Sequence, residues 1–365
     1  MKNYLKQITI SIITLYTLAL TNSCEETTER PSSSQGHISL KDYGWIIPPS
    51  EVFDGGPGKD GIPALDHPEF ITSEEASYLE DTELVLGFKS GGSVHAYPHE
   101  ILDYHENIND ELGGVKIAVT YCPLTGTGIG WDRIINNKET TFGVAGLLYN
   151  TNLILYDRET DSNWSQMRLD CVQGKLVGMR AVMYQLVETS WGNWKAMYPN
   201  SLVVSRNTGH DRNYDEFPYR YYKYDNDYLI FPVNNTDNRL PQKERVLGIF
   251  HGSFKKVYRF EEFGAGIHLI KDIVGGDEII IVGSNDNAFM VAFYPETTDG
   301  HRLQFEAVQE GQNVIMKDIE GNQWDIFGQA VTGPGKGQRL KQPRSFMGYW
   351  FAWAAFYPNV LIYSN

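Results

Sequence analysis

From Glu83 onward the chain alternates short apolar runs with polar breaks, and glycines punctuate the joins. Glu83 to Phe88 and Ser93 to Ala96 predict two strands turning at Gly91-Gly92. Pro98, at a first helical position, predicts a helix running to about Asn107. The β-branched run Val115 to Tyr121 reads as a strand, and Ile129 to Ile135 resumes extended structure. Asn152 to Asp157 is a further strand. Thr189 caps an expected helix from Ser190 to Met197, closed by Tyr198-Pro199, and Leu202 to Ser205 is the last strand of this stretch. The expected class is α+β, mainly β.

The apolar run Ile8 to Leu20 is of another kind. It follows Lys2 and Lys6, is too short for a comfortable membrane span, and leads to Thr21-Asn22-Ser23-Cys24. This reads as a lipoprotein signal peptide over 1–23, with Cys24 lipidated and residues 24–50 as a tether. The expected location is the bacterial cell envelope, facing the periplasm or the outer surface, with the membrane as partner through the lipid.

The pattern also repeats. Trp191-Gly-Asn-Trp194 through Tyr198-Pro199-Asn200 matches Trp350-Phe-Ala-Trp353 through Tyr357-Pro358-Asn359. Tyr97, Asp110, Asp157 and Trp164 match Tyr258, Asp272, Asp318 and Trp324 in the same order at nearly constant offset. The reading is two pseudo-symmetric repeats of about 120 residues, each a small sheet with helices. An N-terminal segment and repeat 1 take up 51–206, a Tyr-rich connector 207–243, and repeat 2 244–365. Two lobes facing one another are expected, with the paired tryptophans in the core.

Composition then narrows the function. A net charge of -15 argues against a nucleic-acid partner, which would need a basic face. Three cysteines are too few for a disulfide scaffold. If Cys24 carries lipid, the other two, Cys122 and Cys171, both fall in repeat 1, as does His105. The segment Thr120-Tyr121-Cys122-Pro123-Leu124-Thr125-Gly126-Thr127-Gly128 has no counterpart in repeat 2. A thiolate with an imidazole suits copper or another soft metal ion, so Cys122, His105 and Cys171 are candidate metal ligands. The alternatives are a small-ligand site, a nucleophilic Cys122 with His105 as base, a Cys122–Cys171 disulfide, or buried thiols in a structural envelope protein. His95, His99 and His105 crowd one stretch, and His99 with Asp103 is spaced i,i+4.

Asp60-Gly61-Ile62-Pro63-Ala64-Leu65-Asp66, Ala96-Tyr97-Pro98, His105-Glu106, Thr120 to Gly128, Tyr156-Asp157-Arg158, Trp164-Ser165-Gln166 and Lys243-Glu244-Arg245 together resemble the bacterial domain-of-unknown-function 3179 family. The resemblance covers nearly everything from Asp60 to Arg245. It implies architecture and candidate positions, not a reaction: Thr120, Thr125, Gly126, Thr127, Gly128, Trp164 and Gln166 as ligand-binding residues. Many members carry a second cysteine three residues after the first. Thr125 stands there in this chain, which leaves Cys171 to supply the second sulfur.

Overall fold

The computed structural model describes residues 44–308 and 313–364. The signal segment, Cys24 and the tether up to residue 43 lie outside them.

Glycine pairs turn the hairpins. Leu84–Ser90 pairs antiparallel with Ser93–Pro98 across Gly91 (φ 57°) and Gly92 (φ 85°). Positive φ at both central residues matches the strand twist and favours glycine. Helix α1 (His99–His105) is shorter than expected. Pro98 ends the preceding strand instead of entering the helix, and Glu106 takes a left-handed conformation that stops it. Helix α2 (Trp191–Met197) starts one residue later than read. Ser190 is its cap, accepting from the Asn193 amide, while Thr189 stays in a strand beside Val85. Among the described residues α3 (Trp350–Phe356) is the one further α-helix, and the remaining regular structure is almost entirely strand in several small sheets. The fold is thus α+β and mainly β.

Two sheets share one plan. Val187–Ser190, Leu84–Ser90, Ser93–Pro98 and Leu202–Val204 lie in that order, joined antiparallel, antiparallel and parallel. Arg344–Tyr349, Arg245–His251, Phe254–Arg259 and Leu361–Ile362 repeat both the order and the pairing senses. Each sheet is followed by an antiparallel meander, Asn107–Leu112 to Thr127–Asp132 in one case and His268–Val274 to Phe289–Phe293 in the other. Tyr97 donates to Asp110 at 2.7 Å, and Tyr258 to Asp272 at 2.7 Å. The Trp164 and Trp324 indoles donate to Asp157 and Asp318, each at 2.9 Å.

The two halves do not face each other as separate lobes; they interlock. α2 and Val85, Ala96 and Val203 of the first sheet pack with Ile280, Phe289, Trp324 and other residues of the second half. α3 and Val246, Val257 and Phe346 of the second sheet pack with Trp131, Phe142, Trp164 and both cysteines of the first half. The opposite face of each sheet packs on its own half's meander. Trp191, Trp194, Trp350 and Trp353 are all buried, as core packing requires.

Candidate functional site

Cys122 ends the strand Val115–Cys122, and the next turn is set by Gly126 at φ 60°. Its thiol is buried in the apolar core, with Sγ 3.8 Å from the Thr151 carbonyl. Burial pushes it up to about 11. Cys171, also buried, lies 3.4 Å from the Gln173 carbonyl and is likewise pushed up to about 11 by burial. Both thiols are free rather than joined in a disulfide.

His105 does not serve Cys122. Its Nδ1 lies 2.8 Å from the Pro63 carbonyl and its Nε2 2.7 Å from the Tyr214 hydroxyl. Burial holds it down to about 4. The expected Cys122–His105 pairing, as catalytic dyad or as metal ligands, is therefore corrected: both ring nitrogens are committed elsewhere and the thiol is protonated. Among the described residues no three His, Cys, Asp or Glu side chains gather as a metal would need, so Cys122, His105 and Cys171 do not form the copper site expected. In a Cys24→Ser variant, neither remaining thiol should react with a soluble disulfide reagent at neutral pH until denaturant is added. Prompt labelling of the folded protein would contradict this burial.

The expected ligand-binding residues do come together, but they face one another. Gln166 Nε2 donates to Thr120 Oγ1 at 2.9 Å and to the Thr127 carbonyl at 3.1 Å. Its Oε1 accepts from Thr127 Oγ1 and Asn152 Nδ2, each at 2.7 Å. Thr125 Oγ1 meets Thr127 Oγ1 at 2.9 Å and accepts from Asn152 at 2.9 Å. All five side chains are fully buried. This is a closed polar network inside the core. Trp164 is tied to Asp157, and Gly128 sits against Leu86. Of the expected set, Gly126 alone borders the cavity beside α1.

That cavity, of about 470 Å³, is built by both halves and the connector. The i,i+4 spacing puts His99 and Asp103 on one face of α1. Tyr121 comes from the neighbouring strand. Arg245 and Tyr349 come from paired ends of two strands in the second sheet. Phe217, Lys223 and Tyr224 of the connector form the rim. Lys243 pins that rim: its Nζ donates to the Tyr222 and Tyr228 carbonyls at 2.6 Å and also to that of Asp225.

The electrostatics are unusual for a core. Glu188, buried, ion-pairs with Arg245 and lies 3.1 Å from His99 Nε2, out of line for a hydrogen bond. Burial, with Arg245 and Lys223 nearby, holds His99 well below its usual range, so its imidazole is neutral. Burial pushes Asp103 up to about 8, leaving a neutral carboxyl able to donate. Its Oδ1 is buried without a hydrogen-bond partner. The hydroxyls of Tyr121 and Tyr349 likewise meet no protein partner among the described residues. Such a wall offers donors and acceptors to a bound molecule.

The His99–Asp103 spacing is visible in the sequence, but the groups that face it are not. Arg245 lies within a recognisable motif and Tyr349 just before one, yet nothing local indicates that they share a cavity with α1.

No curated protein and no solved structure matches the chain. A family model described as a protein of unknown function (DUF3179) matches residues 59–360, most of the chain. This protein is therefore a member of the DUF3179 family.

Proposed function

We propose that the protein binds a small polar molecule in the cavity between α1, Arg245 and Tyr349. The observation that carries this reading is Asp103: a carboxyl nine-tenths buried, unpartnered at Oδ1, bordering a cavity of about 470 Å³. An unsatisfied buried polar group costs about 1–3 kcal/mol. A ligand that hydrogen-bonds it recovers that cost. Tyr121, Tyr349 and His99 around the same space supply orientation.

The test is a thermal-shift panel of small sugars, amino acids, carboxylates and phosphate esters. At least one compound class should raise the melting temperature of the native protein. Asp103→Leu should remove most of that shift while keeping the fold. A panel without effect on the native protein, or an undiminished shift in the variant, would sink the reading.

We also read the chain as an exported lipoprotein anchored through Cys24, on the strength of its charged, apolar and small-residue leader. The two halves are inferred to descend from one duplicated unit. The four-strand order common to both sheets and the matched Tyr–Asp and Trp–Asp hydrogen bonds support this.

A further inference from the structure

A second cavity, of about 270 Å³, carries charge of one sign. Arg168 and Arg180 reach it from the first half, and Lys255 and Arg344 from the second. Four cations thus converge in a chain with 31 basic and 46 acidic residues, where chance would place more acids than bases. One carboxylate shares the space, Asp170, and it is taken: Arg168 Nε and one terminal nitrogen each lie 3.0 Å from its two oxygens. Arg180, Lys255 and Arg344 have no ion pair among the described residues.

These cations are also positioned. Arg344 lies over the Phe250 ring at 5.3 Å, and Lys255 over the Tyr357 ring at 5.9 Å. The two rings pack edge to face at 5.1 Å, so a shared aromatic floor holds both cations beside the same cavity. Like charges gathered in a concave, partly apolar site repel one another and focus a positive potential. A multivalent oxyanion relieves that repulsion, and the arginine forks match its geometry.

We propose that this basic cavity is a binding site for a phosphate-bearing ligand, its phosphoryl group held by Arg180, Arg344 and Lys255. The site is separate from the Asp103 cavity and stands or falls independently of it. The shared chemistry is a phosphate ester, supplied either as a small soluble molecule or as an anionic lipid headgroup.

The test uses the full chain at low ionic strength. Inorganic pyrophosphate and glycerol phosphate are titrated by calorimetry. Phosphatidylglycerol vesicles are assayed by co-sedimentation, with phosphatidylcholine vesicles as the neutral comparison. At least one phosphate probe should bind, with affinity that falls as salt is raised. An Arg180→Ala, Arg344→Ala double variant should weaken it about tenfold or more. Both side chains are exposed, so the variant's melting temperature should match the parent's. An Arg180→Lys, Arg344→Lys pair should recover part of the loss, because charge returns without the planar fork. Binding to phosphatidylglycerol vesicles alone assigns a headgroup, and binding to the soluble probes alone assigns a soluble ester. No binding by any phosphate probe, equal binding to both vesicle types, or affinity unchanged in the double alanine variant would overturn the proposal.

Discussion

Gly248→Ala is expected to destabilise the protein by about 3 kcal/mol or more, the upper range for overpacking a core. A Cβ at this position would sit 2.0 Å from Trp353 Cζ2. The backbone cannot retreat, because Arg245–His251 is paired on both sides. The indole cannot retreat either, because it stacks on Phe346 at 4.6 Å. Gly87 stands under Trp194 in the same way, also at 2.0 Å, so Gly87→Ala should cost a similar amount. Denaturant melts of the two variants check this. Gly248→Ala should cost less in a Trp353→Leu background than in the native protein, since the clash is gone. Native-like stability of Gly248→Ala would show that the ring does not lie on the strand.

Gln166→Ala should be comparably damaging, at roughly 3–5 kcal/mol, by a different route. The change opens a cavity and strips partners from Asn152, Thr120 and Thr127, all without access to water. The amide orientation is fixed by the Thr127 carbonyl, which can only accept. Gln166→Glu should therefore also destabilise at neutral pH, because a carboxylate cannot donate there. Thermal melts of both variants should show a large loss for each; a small loss for the glutamate would mean that the network is open to water.

Much of the local structure was legible, for physical reasons that individual residues illustrate. Paired glycines at 91–92 forced a turn, Ser190 marked a helix start within one residue, and Asn152–Asp157 was found to the residue. The tryptophans were read as core, and they are. The rest depended on information that periodicity does not hold. An apolar face announces that it will be covered but not by what, so α2 and α3 could not be seen to pack on the opposite halves. In the sequence Cys122 is the chemically conspicuous group, yet its thiol is sealed in the core. The cavity instead brings Asp103 of α1 and Arg245 of the second sheet to one wall, residues remote in sequence and brought together only by the interlocked sheets. Thr120, Thr125, Thr127 and Gln166, expected to face a ligand, lie together with their polarity spent on one another and on Asn152.

The way the helix-bearing face of each sheet is completed by residues of the other half bears on how the chain can be made. As the first half leaves the ribosome, one side of its sheet lacks the residues that will dry it, since Phe289 and Trp324 come much later in sequence. A vectorially growing chain must therefore carry an exposed apolar surface until nearly the whole sequence has emerged. Neither half is a unit that nature could trim, splice or inherit alone without redesigning the surface left bare.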